Sequence, residues 1–370
     1  MSSVGIIECK SYDEADVKEA FRVISTPFAE EKAQNLKDKS VVIYFDFPLP
    51  HLTILKEVIE FLKKSGVKEI TAGASIFAHN LPEEYKSLFD KYGIRFVDFR
   101  KDRYVKLTVP LHTEKMPDHF RGFGLLSPVQ YSKEKQIEKM GIKGKRTLKN
   151  AFIPITIVDS DFVIPVVKLK TSPVSKLGGV VNATLSLVPT MTRNEILVRK
   201  LKFGEFENAL AETYALIKDR IAFGVVDAVQ GDLTGDEELD KIGAILFSED
   251  GLALDSLSAV LIGYRSRDVR TNKAGDDMGF GAGLFAHVSL YGDEFLRFRK
   301  ELKNLLKYGS RKRRRIPTIT NPNDERIEKI EFTCPIGAIK KTEYGYTIDK
   351  KVCFGCMLCV ELLPEVFTID

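Results

Sequence analysis

Apolar positions along the chain alternate between the 3.6-residue spacing of helices and short, continuous β-branched runs. Ser11-Tyr12-Asp13-Glu14 has the Ser-x-x-Glu spacing of a helix start, and Val17, Ala20, Phe21 and Ile24 follow at helical intervals. Val41-Val42-Ile43-Tyr44-Phe45 then reads as a buried strand, residues 52–64 as an amphipathic helix and residues 67–72 as a second strand. Strand, helix and strand with short connections make a βαβ unit, which requires a parallel sheet covered by helices. Comparable patterns recur at 151–167, 206–226 and 243–263. Residues 1–306 are therefore expected to be α/β, a mostly parallel sheet with helices on both faces, ending in a helix over 294–306.

Periodicity weakens over 114–149, where lysines accumulate and Gly122, Gly124, Gly141 and Gly144 interrupt the pattern, so this stretch is expected to be an irregular excursion. Residues 307–318 hold Gly309, Ser310, the run Arg311-Lys312-Arg313-Arg314-Arg315 and Pro317. They read as a basic linker, and residues 319–370 as a small C-terminal α+β domain.

Composition narrows the choice of function. With 370 residues, 44% of them apolar, the chain can bury a sizeable core, and no apolar run approaches the roughly 18 residues that span a bilayer. Glu8, Lys10, Asp13 and Glu14 stand where a secretory leader would be apolar, so a cytoplasmic location is expected. The net charge is +4, but the run 311–315 supplies all of that excess. Nucleic acid is accordingly disfavoured as a partner, and the run reads as a solvated linker or a strap on the acidic C-terminal domain.

Cys9 stands alone, whereas Cys334, Cys353, Cys356 and Cys359 crowd into the last 37 residues. Cys353-x2-Cys356-x2-Cys359 sets three thiolates on a tight loop, as three corners of an iron–sulfur cubane require. Zinc would be expected on two paired Cys-x2-Cys knuckles instead. The segment resembles a bacterial two-cluster ferredoxin: Cys334-Pro335-Ile336-Gly337-Ala338-Ile339, then Gly345-Tyr346-Thr347-Ile348-Asp349, then the triple-Cys loop. In that family the Cys of a Cys-Pro pair completes the cluster of the opposite half, which implies Cys334 as the fourth ligand here. The positions that would hold the other cluster carry Asp324, Ile327, Ile330 and Leu363, so the resemblance implies one 4Fe-4S cluster.

Three stretches in the larger part resemble the family called domain of unknown function 362, whose members often carry a ferredoxin module. They are Ile164–Thr171 with Gly178-Gly179-Val180-Val181-Asn182, Val225-Val226-Asp227-Ala228-Val229, and Gly243–Asp255 with Ile262-Gly263-Tyr264. The likeness spans roughly residues 40 to 290. Where that family's early strand usually ends in Lys-Pro-Asn, this chain has Ile43-Tyr44-Phe45-Asp46, and Ser172 replaces a common histidine.

Lys168 and Lys170 point to one face at the end of an apolar strand, the edge on which parallel sheets present ligands. With Asn182, Asp227 and Asp255 they form the candidate crevice, able to hold a small anionic ligand or to do acid/base work. Asp250 reads as a further member of a carboxylate set with Asp227 and Asp255, for acid/base work or a hard metal, or equally well as a helix N-cap. Gly279-Phe280-Gly281-Ala282-Gly283 lacks the preceding strand that a phosphate loop needs. Each of the five histidines, His51 among them, reads as a surface or satisfied core residue.

The leading expectation is a redox protein that uses the cluster to pass single electrons to or from the α/β domain, with a redox partner protein. The alternatives are a carrier or binding protein with a structural cluster, and a non-redox lyase or isomerase with a stabilising one.

Overall fold

The computed structural model describes residues 1–75, 81–109, 146–172, 174–200, 205–233, 239–293, 298, 316–353 and 355–368. The basic run 311–315, all but residue 298 of the helix expected at 294–306, and most of the excursion 114–149 and of the linker 307–318 lie outside the described residues.

The main sheet contains β1 (Ser2–Glu8), β2 (Ser40–Tyr44), β3 (Glu69–Ala74), β4 (Arg95–Asp98), β7 (Phe162–Ser172), β8 (Lys176–Gly178), β9 (Gly224–Asp232), β10 (Asp240–Ser248) and β11 (Val288–Gly292). Its order is β11-β1-β10-β9-β7-β2-β3-β4, with β8 paired to β7. A separate hairpin joins β5 (Tyr104–Thr108) to β6 (Asn150–Pro154). The run from β9 through β7, β2 and β3 to β4 is parallel throughout. Strand β10 departs from the expectation of a further βαβ unit, because it is antiparallel to both β9 and β1. The cause is chain length: β9 ends at Asp232 and β10 begins at Asp240, too few residues for a crossover.

Alternation along each strand sends successive side chains to opposite layers. Ile164 and Val166 of β7, with Val225 and Val229 of β9, join the layer that packs Phe21, Ile24, Ile54, Val58 and Phe89 of the helices Glu14–Ser25, Leu52–Lys64 and Glu83–Tyr92. Val163, Val167 and Val226 face the opposite layer, built from the helices Val180–Ala183, Phe206–Ala215 and Gly251–Leu261. Helices thus cover both faces. The first helix does not close the expected capping box, since Ser11 Oγ accepts from Asp13 N at 3.0 Å and donates to Asp16 at 2.9 Å.

Residues from Thr318 onward form a small α+β unit around its own core of Ile327, Ile339, Tyr346, Val360, Leu363, Val366 and Phe367. It pairs β12 (Thr318–Ile319) with β15 (Phe367–Thr368) and β13 (Ile339–Thr342) with β14 (Gly345–Ile348), beside the short helices Ile327–Glu331 and Leu358–Leu362.

Candidate functional site

Two constellations stand out, one on each unit. In the C-terminal unit, Cys334 follows the helix Ile327–Glu331, while Cys353 and Cys356 lie on the loop leading to the helix that carries Cys359. Sharp backbone turns present them. Gly337 and Gly355 take left-handed φ of 62° and 76°, and Met357, between two of the cysteines, is held at 60° despite its side chain. All four thiols are half-buried, and none forms a disulfide.

The sulfurs sense one another. Burial, with smaller contributions from neighbouring thiols, pushes Cys356 and Cys359 each up to about 12. Backbone N–H groups oppose that shift: Leu358 donates to Cys356 and Val360 to Cys359, while Ala338 N lies 3.1 Å from Cys334 Sγ. The donors favour a charge-bearing sulfur that burial alone would keep protonated. Among the described residues no three His, Cys, Asp or Glu side chains converge on the position of a single metal ion.

The cysteine loop meets the large domain through a buried ion pair. Arg193 Nη2 lies 2.8 Å from both carboxylate oxygens of Glu361, which also accepts a hydrogen bond from Thr190 Oγ1. Cys356 packs against the core of the α/β domain. Arg193 senses Cys356 and also the carboxylate of Asp46, two residues beyond the carboxyl end of β2. Arg100, just past β4, also senses Glu361. The small unit therefore sits against the carboxyl edge of the sheet.

The second constellation lies within the α/β domain. Lys168 and Asp227 are register partners on β7 and β9, and Lys168 Nζ lies 2.7 Å from Asp227 Oδ2. Both are buried, at 5% and 0% side-chain exposure. Tyr12 bridges them, donating to Asp227 Oδ1 at 2.8 Å and accepting from Lys168 Nζ at 2.9 Å. Burial and the adjoining Asp227 hold the Tyr12 phenol well above its usual range, so it stays protonated. His51 N donates to Asp227 Oδ2 at 2.9 Å, and its ring stacks on Tyr12 with centroids 3.8 Å apart. Burial lowers the His51 pKa, and its Nδ1 accepts from Thr53 N at 3.2 Å. The ring thereby caps the helix Leu52–Lys64 as a neutral imidazole protonated on Nε2.

Lys170, on the same strand, pairs with Asp46 at 2.7 Å and donates to the Phe47 carbonyl. Both lysines of the candidate crevice are thus committed to carboxylates of the chain itself.

The remaining two members of the expected five-residue crevice lie elsewhere. Asp255 accepts from Val180 N at 2.6 Å and Val181 N at 3.0 Å, among residues of the opposite layer. Burial pushes it up to about 7. Asn182 donates to Ser175 Oγ at 2.9 Å. The correction follows from the alternation of the sheet: Asp227 faces the layer of Val225 and Val229, whereas Asp255 belongs to a helix packed on the other side. Asp250 is a helix N-cap, accepting from Leu252 N and Ala253 N at 2.9 and 3.2 Å. The glycine-rich segment 279–283 wraps that same carboxylate, with Ala282 N at 2.7 Å and no room for a side chain at Gly281.

Tyr12, His51, Arg193 and Glu361 were not distinguished by sequence reasoning. Tyr12 joins Asp227 across 215 residues and Arg193 joins Glu361 across 168, separations that no spacing rule reaches.

These features define an α/β protein with a cysteine-bearing α+β unit seated at the carboxyl edge of its sheet. A family model described as Domain of unknown function (DUF362) matches residues 114–260, narrower than the likeness expected from the motifs. No curated protein matches. Among solved structures, the lactate racemase apoprotein from Thermoanaerobacterium thermosaccharolyticum is similar at 12% identity with a TM-score of 0.43, covering 70% of this chain and 57% of that one. The chain thus spans less than two thirds of that neighbour's length.

Proposed function

We propose that this chain is an iron–sulfur protein whose C-terminal, ferredoxin-like unit holds one 4Fe-4S cluster on Cys334, Cys353, Cys356 and Cys359. It exchanges single electrons between a redox partner and the carboxyl edge of the α/β sheet, in the cytoplasm. The observation that carries this reading is the meeting of four mutually sensed thiols with backbone N–H donors at Cys334, Cys356 and Cys359. The donor set fits the group, since soft thiolates suit iron clusters and N–H···S hydrogen bonds are among the features that set their potential. When bound, the cluster supplies reversible one-electron chemistry.

The chain's own residues supply the rest. Gly355 and Met357 shape the loop, the N–H groups stabilise charge on sulfur, and the Arg193–Glu361 pair seats the unit beside the sheet edge. Because buried thiols at about 12 must lose their protons to ligate, loading releases protons and is favoured as pH rises.

A second reading, an electron carrier without a reaction of its own, is favoured by the state of the crevice. Lys168, Lys170 and Asp227 spend their polar groups on each other, Tyr12, Asp46 and backbone. The test of the leading reading is optical. Anaerobically reconstituted protein should show a broad charge-transfer absorption that bleaches on reduction, returns on reoxidation and is lost in Cys356→Ser. A colourless protein after reconstitution would refute the cluster, and reversible bleaching with no small molecule turned over would favour the carrier.

A further inference from the structure

We infer that the buried Arg193–Glu361 pair sets the electron affinity of the cysteine site as well as seating it, with the guanidinium favouring the reduced, more negative site and the carboxylate opposing it. The inference rests on the cluster reading above and names the regulation of that same site.

Its position singles the pair out. Glu361 lies two residues beyond Cys359 on the same short helix, and Arg193 reaches it from the large domain at 2.8 Å. Both side chains are nearly sealed from water, at 8% and 5% exposure, so solvent screens their fields little. The two charges do not act equally on the sulfurs. Arg193 is felt at Cys356, where it opposes the effect of burial, and Cys356 itself packs against the α/β core. Glu361, two residues beyond Cys359, neutralises part of that cation.

Reduction adds one electron to the site and moves no atom. In the test below that electron comes from a low-potential one-electron donor of the dithionite class. A nearby buried cation gains attraction when the site becomes more negative, so it raises the affinity for that electron, and a nearby anion lowers it. Seating and tuning therefore reside in one contact, and a unit lifted off the domain would lose both together.

The experiment is a redox titration, followed by electron paramagnetic resonance, of the full-length reconstituted chain and three variants, with iron and sulfide measured first. Arg193→Met should weaken the affinity for the electron about tenfold or more, a fall of about 59 mV for a one-electron couple. Glu361→Gln, which keeps the shape and the Thr190 contact but releases Arg193, should shift the potential upward. Arg193→Lys should recover most of the Arg193→Met loss. A merely structural pair predicts otherwise: loosening either partner would expose the site alike and move both variants in the same direction. Shifts of one sign in Arg193→Met and Glu361→Gln, or none in either, overturn the inference. If Arg193→Met does not load, Arg193→Gln, which also removes the charge, takes its place in the comparison of sign with Glu361→Gln. A wild-type chain that takes up no iron and sulfide removes the cluster reading itself, and that result is visible before any titration.

Discussion

Among the described residues two cation–carboxylate pairs of similar length are well buried, Lys168–Asp227 at 2.7 Å and Arg193–Glu361 at 2.8 Å, and they are used differently. The first joins adjacent strands of one sheet and is saturated: Tyr12, His51 N and Val229 N complete the Asp227 shell, and Tyr12 and the Gln230 carbonyl complete that of Lys168. It fastens the N-terminal segment, the loop after β2 and two strands together. The second pair joins separate cores, one large and one small, next to a cysteine loop. A buried pair inside one unit rigidifies it, whereas a pair between units fixes where one sits on the other. Whole-chain stability should therefore feel the first pair more than the second.

Breaking the first pair should give the largest effect. Asp227→Ala leaves an uncompensated buried ammonium and should lower global stability by about 3 to 5 kcal/mol. Denaturant unfolding followed by circular dichroism measures this. A loss below about 1 kcal/mol would mean that water already relieves the site. For the second pair, Glu361→Ala should cost about 1.5 to 3 kcal/mol, the range for hydrogen bonds to charged groups. That loss should be local, with faster amide exchange over 318–368 and at 190–194 and little change in the strands of the sheet. Uniformly faster exchange across both units would erase the distinction drawn here.

Asp255 supplies a contrast, because it is a buried carboxylate whose partners among the described residues are backbone N–H groups. Its folded pKa of about 7 lies above the ordinary 3.8, so the folded state binds the proton more tightly than the unfolded chain. Stability from this group is present below about pH 4 and is lost as pH rises toward 7, with a slope of at most about 1.4 kcal/mol per pH unit. Unfolding free energies across that window should show the decline, and Asp255→Asn should flatten it. An unchanged slope in the variant would assign the decline to another group. The smallest effect is expected at His51. His51→Ala removes the Tyr12 stack and a helix cap and should cost about 1 kcal/mol, while leaving the Asp227–Lys168 pair in place. Thermal unfolding would register this as a shift of about 1 °C in a chain of this length.

How much of this was legible in the sequence follows from the range of each interaction. Periods of 2 and 3.6 reveal elements, so β2, the helix Leu52–Lys64 and β9 stood where the apolar pattern put them. Strand direction at β10 depended on a loop too short for a crossover, and β1 carried no turn signal to announce it. The cysteine spacing is a local motif and was readable. Lys168 and Asp227 were readable as polar breaks in apolar strands, and their register brings them together. Asp255 looked equivalent because it opens a helix after an apolar strand, but the layer that a helix packs on is a tertiary choice. Tyr12, His51, Arg193 and Glu361 enter their networks through contacts between distant segments, and each taken alone resembles an ordinary surface residue.

The most direct measurement of the central claim is the iron and acid-labile sulfide content of protein reconstituted and desalted without oxygen. The account predicts about four of each per chain, falling to near zero when Cys334, Cys353, Cys356 or Cys359 is replaced by serine and unchanged in Cys9→Ser. About eight iron per chain, one zinc without sulfide, or full loading in any of the four serine variants would contradict it.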